Sequence, residues 1–454
     1  MTSSRSHDVG PVADRTVPTE PAASDTPSDP HQLLKLNPLP PTWPWDAPET
    51  PVRDHDEASG YVAMVCFKHG PPIRHGLELE WTVHHPSRPS TPLELHQLRA
   101  ALGIHAPTSL DPTSPWLPLP RGSRITVEPG GQVEISTPPS DALPELLDTT
   151  RSDAASLRDL LSAGDLTLGT AGVDPHRPPT RILSTPRYDA MQAFFDRIGP
   201  AGAQMMCSTA STQLCIDTGE LADLPLRWRA LHQLGPSLVA LFANSPRING
   251  HATGWASSRL PRVFATAPPT SSPPANDADP RAAYTRMCLE APVLCIRRDE
   301  GGWDAPAGLT LADWVADPRV WDLVGRRPTY IDIDYHLTTI FPPVRAHGYL
   351  EVRYLDAQPA EEWVAPAALL ACLMADHDAV EQALDATAEV AHAWLTAARE
   401  GLDNAALARA ATRVVEVGLK TVEAAGLGTP LTNEISHIVQ GRLARPRPHS
   451  RRTR

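Results

Sequence analysis

The chain has 454 residues, a formal net charge of −13, 41% hydrophobic residues and 20% charged residues. A chain of this length and composition can bury a large core in one composite domain or in two. The acidic balance excludes a general nucleic-acid binder, because binding phosphates requires a basic face and the only dense basic run is at the extreme C-terminus.

The N-terminal segment, residues 1–45, is polar and rich in proline, serine, threonine and aspartate. It cannot bury enough apolar surface to offset the entropy of ordering, so it is predicted to be disordered. It has no apolar stretch typical of a secretion signal, and no later apolar run approaches the ~20 residues that span a bilayer. The six cysteines form no C-x-x-C pair, which is typical of reduced thiols and argues against zinc. We therefore expect a cytoplasmic protein that does not enter a membrane.

The first predicted strand covers residues 76–84, where apolar and polar residues alternate. A period of two puts the apolar side chains on one face and Glu78 and Glu80 together on the other. Taken alone, such a pair of carboxylates is more often part of a solvated face than of a functional site.

A hairpin is predicted over Arg124–Ser136, with Pro129 and Gly130 at the two central positions of a type II turn. The alternation leaves Glu134 on the polar face and puts Glu128 at the start of the turn. An ordinary hairpin whose polar face is exposed to solvent explains the pattern of this segment equally well.

Helical periodicity is clear in several segments that follow the hairpin. The predicted helices are Leu143–Ala163, Tyr188–Ile198, Leu226–Ala243 and most of Val364–Gly426, with a break near Gly401. A segment rich in proline and serine, Ala267–Asp279, is predicted to be an exposed loop. Helices mixed with period-two strands predict the α+β class with an antiparallel sheet.

A third predicted strand covers residues 348–355 and again has an apolar face and a polar face. Glu351 and Arg353 share its polar face. The chain then ends in a basic, proline-broken tail, residues 431–454, that is predicted to be disordered.

If the three strand segments belong to one sheet, its polar face collects four carboxylates: Glu78, Glu80, Glu134 and Glu351. An all-oxygen set of this kind suits Mg²⁺ or Mn²⁺ rather than zinc. Metal ions and arginines together are the usual means of neutralising a transferred phosphoryl group, and Arg353 is placed for that role. The sequence has neither a P-loop nor a dinucleotide-binding G-x-G-x-x-G after a strand, so any ATP site must use another architecture.

At these segments the chain resembles the glutamate–cysteine ligases of the plant and bacterial type, and most closely the branch that serves bacterial ergothioneine synthesis. The similarity spans about residues 61–426. It rests on six motifs: GLELEW from Gly76, EPGGQVEIS from Glu128, RYDAMQAFF from Arg187, GAQMMCSTASTQLCID from Gly202, LFANSPRINGHATGW from Leu241, and DYHLTTIFPPVRAHGYLEVRYLDAQP from Asp334.

The resemblance implies a glutamine-synthetase-like catalytic domain, in which a curved antiparallel sheet flanked by helices forms a funnel-shaped site. It places this domain at residues 46–430, with a helical C-terminal portion. It further implies ATP as co-substrate, Mg²⁺ or Mn²⁺ as cofactor, and glutamate and cysteine as substrates, without an obligate protein partner. The family's metal ligands fall on Glu78, Glu80, Glu134 and Glu351, and its catalytic residues on Glu80, Glu351 and Arg353.

The resemblance also implies substrate contacts for a set of residues outside the carboxylate cluster. Met205, Met206, Thr209 and Gln213 match the segment near bound substrate, and Arg259 matches an arginine expected to hold the carboxylate of glutamate. His336 and Arg353 are expected beside the nucleotide. The residue types alone are also compatible with structural roles, because paired methionines more often fill a core and a lone histidine is more often structural.

The implied reaction joins the γ-carboxylate of glutamate to the amine of cysteine through a γ-glutamyl phosphate. Two alternatives stay open at this point: a related carboxylate–amine ligase with another amine, and a homologue that binds Mg·ATP without turnover. The sequence departs from the family between Arg259 and Cys288, where Val263 and the proline-rich segment replace a tryptophan and a shorter connection. This departure bears most on the selectivity for cysteine.

Overall fold

The computed structural model describes residues 49–272 and 279–444. Its strands are β1 His75–Trp81, β2 Val83–His84, β3 Arg124–Val127, β4 Val133–Ser136, β5 Thr167–Leu168, β6 Ser211–Ile216, β7 Arg247–Ile248, β8 His251–Ala252, β9 Val344–Ala346 and β10 Leu350–Asp356. The predicted tail at residues 1–45 and the segment 273–278 lie outside the described residues.

Helices precede, separate and follow the strands along the chain. They are α1 His55–Cys66, α2 Leu95–Leu102, α3 Leu143–Ala163, α4 Pro186–Asp196, α5 Ala201–Ser208, α6 Leu224–Gln233, α7 Gly235–Phe242, α8 Arg259–Phe264, α9 Pro268–Ser271, α10 Pro280–Glu290, α11 Leu311–Ala316, α12 Pro318–Val324, α13 Tyr330–Leu337, α14 Val364–Met374, α15 His377–Thr387, α16 Trp394–Glu400, α17 Ala405–Ala424 and α18 Thr429–Ala444. In the described part of the chain, short 3₁₀ helices lie at Gly103–His105, Ala388–Val390 and Gly401–Asp403.

A six-stranded antiparallel sheet organises the structure, in the order β3-β4-β1-β6-β10-β9. The predicted α+β class with an antiparallel sheet is confirmed. The central strand β6 joins the carboxylate strand β1 to β10, so the three predicted strand segments do belong to one sheet. Two pairs of short strands, β2 with β5 and β7 with β8, lie outside it.

The apolar face of the sheet packs against helices. Leu77, Leu79, Val352 and Leu350 are almost completely buried, as the alternation predicts. Helices α3, α7 and α14 contact β1, β10 and β6, and every residue of α14 is buried. Because helices cover the apolar side of the sheet, the polar side is left for the carboxylates.

The hairpin turn differs from the predicted type II turn. Gly131 N–H donates to Glu128 O at 2.8 Å, so the turn spans residues 128–131 as expected. However, the positive φ of +84° belongs to Gly131, just beyond the two central positions, and not to Gly130. A type I turn followed by a left-handed glycine has this pattern, and it is a common way to close a three-residue hairpin.

Two predicted irregular segments are partly ordered. Helix α18 covers Thr429–Ala444 and buries Ile435 and Val439, so the prediction of a disordered tail from residue 431 is wrong up to residue 444; residues 445–454 lie outside the described part. The predicted exposed loop at 267–279 begins with the short helix α9, in which Thr270 and Ser271 are buried. Within the described residues, no helix combines the length and apolar character required to cross a membrane.

Candidate active site

A cavity of about 200 Å³ opens on the polar face of the sheet. Carboxylates of β1, β4 and the hairpin turn form one wall, and arginines from four other segments reach the same space. The charged residues that line it are Glu78, Glu80, Glu128, Glu134, Arg187, Arg259, Arg345 and Arg353. The sheet therefore brings together acidic and basic side chains that are up to 275 positions apart in the chain, from Glu78 to Arg353.

Glu80 is held by the central strand β6. One of its oxygens accepts hydrogen bonds from Ser211 N–H at 2.8 Å and from the Ser211 hydroxyl at 2.7 Å. The other oxygen accepts from Gln213 Nε2 at 3.0 Å. Glu80 also lies directly opposite Glu134 in the β1–β4 register, so the two carboxylates share one part of the cavity wall.

The carboxylates on this wall repel one another. Burial raises the pKa of Glu134 well above its usual range, and the charges of Glu78, Glu80 and Glu128 raise it further. Burial likewise raises the pKa of Glu78 to about 7, with Glu351 adding to the effect. The pKa of Glu128 also rises to about 7, through burial and then the charge of Glu80. A group of acids in this state favours a bound cation or shared protons.

Glu351 has a different environment from the other carboxylates. It is fully buried, and it accepts hydrogen bonds from Arg345 Nε at 2.7 Å and Arg345 Nη2 at 3.1 Å, and another from Arg353 Nη1. Burial alone would raise the pKa of Glu351, but Arg345 and Arg353 lower it below its usual range. Glu351 therefore fixes two guanidinium groups at the edge of the cavity.

Arg259 is the first residue of α8 and is almost completely buried. Its Nη2 donates to the backbone oxygen of Arg353 at 2.6 Å, and its Nη1 lies 3.9 Å from Asp356. Nη1 has no hydrogen-bond acceptor among the described residues although it is buried. An unpaired guanidinium nitrogen beside a cavity is suited to hold an anionic group of a ligand.

Comparison with known proteins decides the family. A sequence profile of glutamate-cysteine ligase family 2 (GCS2) matches residues 74–436. The chain belongs to this family. It is 37% identical over 399 residues to glutamate–cysteine ligase EgtA of Mycobacterium tuberculosis, covering 86% of this chain and 88% of that protein. It is 38% identical over 379 residues to EgtA of Mycolicibacterium smegmatis, covering 81% of this chain and 85% of that protein.

A plant relative matches over less of its length. The chloroplastic glutamate–cysteine ligase of Arabidopsis thaliana is 30% identical over 339 residues, which are 71% of this chain and 60% of the plant protein. Among solved structures, the glutamate–cysteine ligase of Francisella tularensis in complex with AMP aligns with a TM-score of 0.42 at 12% identity, covering 83% of each chain.

The segment from the end of α5 into β6 carries the residues that the family resemblance places near the substrate. Met205, Met206, Thr209 and Gln213 all line the cavity. Gln132 from the hairpin donates its amide to Met206 O at 3.1 Å and to Thr209 O at 3.0 Å, which holds the end of α5 against the carboxylate hairpin. Met206 is also part of a buried apolar cluster, so it serves the core as well as the cavity.

His336 is not brought to the cavity. It is buried in α13, and its Nε2 lies 2.8 Å from Cys288 O. Burial lowers its pKa to about 4, so the imidazole is neutral at physiological pH. The structure gives no geometric support to the predicted nucleotide contact of His336, and its position is that of a structural histidine.

Three charged residues of the cavity were not among the predicted site residues: Glu128, Arg187 and Arg345. Glu128 was recognised only as the start of the turn, and its place in the cavity wall becomes visible when β3 pairs with β4. Arg187 donates to Thr338 Oγ1 at 2.9 Å and Thr338 O at 3.0 Å, across 151 positions of the chain. Arg345 lies in the three-residue strand β9, which is too short to show a periodic pattern.

The cavity carboxylates are spread along the wall. Within residues 49–272 and 279–444, only His377, Asp378 and Glu381 form a group of three potential ligands whose atoms all lie within 4.8 Å of one another, and this group is exposed and outside the cavity. A distributed set of carboxylates suits Mg²⁺, which usually takes one or two protein carboxylates and completes its shell with water and phosphate oxygens.

Proposed function

We propose that the protein joins the γ-carboxylate of L-glutamate to the amine of L-cysteine with consumption of ATP, giving γ-glutamylcysteine. The observation that carries the proposal is the meeting of acidic and arginine side chains in one cavity, in a chain of glutamate-cysteine ligase family 2. The reaction requires both kinds of group, because a carboxylate must be phosphorylated before an amine can displace it, and both the nucleotide and the intermediate are anionic.

The arginines supply the positive charge that faces the transferred phosphoryl group. Arg345 and Arg353 are held in position by Glu351, and Arg187 by Thr338. Fixed guanidinium groups stabilise developing negative charge without having to reorganise during the reaction. In this proposal Arg353 contacts the phosphoryl group, and Arg259 binds a carboxylate of glutamate through its unpaired Nη1.

The acidic wall fits Mg²⁺ or Mn²⁺. Glu78, Glu80, Glu128 and Glu134 offer only carboxylate oxygens. The pKa values of Glu78, Glu128 and Glu134 are raised by burial and then by repulsion from neighbouring carboxylates, and a divalent cation would relieve this repulsion. Glu351 is the fourth carboxylate of the predicted ligand set, but it already accepts hydrogen bonds from two arginines. Glu78, Glu80, Glu128 and Glu134 would hold the cation, and its charge would offset that of the ATP phosphates.

Once γ-glutamyl phosphate forms, the amine of cysteine attacks its acyl carbon and phosphate leaves. The intermediate must be kept from water, which would otherwise hydrolyse it. Apolar side chains that line the same cavity serve that purpose: Met191, Met205, Leu260, Val263, Phe264 and Phe341. We assign the product to the first step of ergothioneine synthesis, because the motifs most resemble the branch of the family that serves it.

The direct test is ADP release measured with pairs of amino acids, followed by mass detection of the product. We expect ADP release with glutamate plus cysteine in the presence of Mg²⁺, and a product with the mass of γ-glutamylcysteine. Equal or faster turnover with other amines would reassign the protein to another carboxylate–amine ligation. Tight binding of Mg·ATP without product from any pair would identify it as a catalytically idle member of the family.

A further inference from the structure

Asp356, the last residue of β10, is a buried carboxylate that the proposed reaction does not use. One of its oxygens accepts hydrogen bonds from Asn244 N–H at 2.9 Å and from the Ser245 hydroxyl at 2.7 Å. The other oxygen accepts from the Ser257 hydroxyl at 2.9 Å and lies 3.9 Å from Arg259 Nη1. Asp356 therefore ties the end of the central sheet to the loop that precedes α8.

The same network fixes the start of α8. The Ser245 hydroxyl oxygen accepts hydrogen bonds from Ser258 N–H at 2.9 Å and Arg259 N–H at 3.2 Å while its own proton goes to Asp356. The backbone of Arg259 is thus held through Ser245, and its charged side chain faces Asp356 directly. Gly172 lies so close that an added Cβ would be 2.7 Å from Asp356 Cβ, so a side chain at position 172 would displace Asp356.

The irregularity of β10 completes the arrangement. The β10–β6 register shifts between Val352 and Leu355, which is the signature of a bulge. Within this bulge the backbone oxygen of Arg353 accepts from Arg259 Nη2 at 2.6 Å. One guanidinium nitrogen is therefore bound to the strand and the other is left beside Asp356 without a hydrogen-bond acceptor among the described residues.

We infer that Asp356 is a positioning residue for glutamate binding, which holds the guanidinium of Arg259 at the wall of the cavity. The inference rests on the proposed function, since it takes glutamate as the ligand of Arg259. The distance of 3.9 Å is too long for a hydrogen bond, so Asp356 orients the charge of Arg259 without occupying the nitrogen that the substrate needs. A closer carboxylate would compete with the substrate for that nitrogen.

The experiment compares Asp356→Asn with Asp153→Asn in steady-state assays of the full-length protein. Asp153 is a matched control, because it is also a buried aspartate that accepts hydrogen bonds at both oxygens, but it lies away from the cavity. Its donors are Arg121 N–H at 2.8 Å and Ser123 N–H at 2.9 Å. For Asp356→Asn we expect KM for glutamate to rise about tenfold or more, with KM for ATP and kcat within about twofold. Asp153→Asn should leave all three constants unchanged apart from any loss of thermal stability.

A milder variant, Ser257→Ala, covers the case in which Asp356→Asn does not fold. It removes only the hydroxyl that holds the Asp356 oxygen nearest Arg259, and we expect a rise of a few-fold in KM for glutamate alone. Unchanged KM for glutamate in a folded variant, or a fall in kcat with KM unaltered, would overturn the inference. Absence of γ-glutamylcysteine from the unmodified protein would instead overturn the proposed function, so the two failures are distinguishable.

Discussion

At the scale of single residues, the acids in and beside the cavity are of two kinds, and Glu351 is the one that does not line it. Glu78, Glu128 and Glu134 have no basic hydrogen-bond partner in the described structure, and burial and then the charges of neighbouring carboxylates raise their pKa values. Glu351 is enclosed by two arginines, and its pKa falls. Glutamate therefore has two roles here. The three carboxylates with raised pKa values favour binding of an added cation, whereas Glu351 supplies the negative charge that pairs with Arg345 and Arg353.

Replacement of Glu80 by glutamine tests the acidic wall. Its carboxylate accepts three hydrogen bonds from Ser211 and Gln213, so the amide variant keeps the shape and loses one acceptor and the charge. We expect kcat to fall by about a hundredfold or more, because the lost charge acts on the transition state and not only on substrate binding. Glu145→Gln, which removes an exposed carboxylate of α3, is the control and should keep full turnover. A near-normal kcat for Glu80→Gln would refute its catalytic role.

Replacement of Glu351 by glutamine tests, through the stability of the protein, the buried ion pairs that Glu351 forms with Arg345 and Arg353. Removal of one partner of a buried ion pair leaves the other charge uncompensated, which typically costs about 3–5 kcal/mol of the free energy of unfolding. We therefore expect a clear loss of stability in denaturant titration, together with loss of turnover. Glu416→Gln breaks the exposed pair of Arg413 and Glu416 and should change stability by less than about 1 kcal/mol. Equal stability of the two variants would contradict the assigned role of Glu351.

At the scale of elements, the hairpin of β3 and β4 shows which features a sequence pattern determines. The alternation predicts correctly that Val133 and Ile135 are buried, and both are fully so. The turn was placed correctly but given the wrong type, because Gly130 and Gly131 are adjacent and either can supply a positive φ. The structure explains Gly130 differently: a Cβ there would lie 2.1 Å from the backbone oxygen of Cys207, so a side chain is excluded by packing against α5.

Gly130→Ala should therefore destabilise the protein by about 1–3 kcal/mol, the usual cost of overpacking. It should also lower kcat, because the turn that moves carries Glu128 at one end and leads to Glu134 at the other. Thermal unfolding and the ADP-release assay measure the two effects. Gly60→Ala is the matched control: Gly60 lies in α1 with no atom within 4 Å of an added Cβ, so alanine should be neutral or stabilising by up to about 1 kcal/mol. Similar behaviour of the two variants would contradict the packing explanation.

The central strand β6 could not be predicted from periodicity. Five of its six residues are buried, on both faces of the strand, so its sequence lacks the alternation of apolar and polar residues that marks a half-buried strand. Thr212 and Gln213 are polar yet almost fully buried. They are buried because β6 lies in the middle of the sheet, which their polarity does not reveal. Residues on strands with clear alternation, such as Glu78 and Glu351, were predicted from sequence, whereas Arg345 and Asp356 acquire their roles only through contacts between distant segments.

At the scale of the whole molecule, the C-terminal helices support the site from behind the sheet. The predicted helical portion is confirmed, and its predicted break near Gly401 coincides with a 3₁₀ turn at Gly401–Asp403 between α16 and α17. Helix α18 extends this layer beyond the predicted domain end at residue 430, packing on α14, α17 and α7. Since α14 and α7 in turn contact β6 and β10, the last helix is linked through one layer to the strands that carry the site.

Removal of residues 429–454 should therefore destabilise the protein, whereas removal of residues 445–454 alone should leave its melting temperature and activity unchanged. The longer deletion exposes the partners of Ile435 and Val439, which are fully buried, and leaves Glu362 without the hydrogen bond that Arg442 Nε donates at 3.0 Å. Loss of two buried aliphatic side chains corresponds to about 3 kcal/mol or more. Thermal unfolding of both truncations measures the difference, and an unchanged melting temperature after the longer deletion would show that α18 contributes nothing to the fold. The KM for glutamate of the longer truncation distinguishes an effect on overall stability from an effect on the site. If helix α18 acts only through overall stability, this KM, measured well below the melting temperature, should equal that of the full chain.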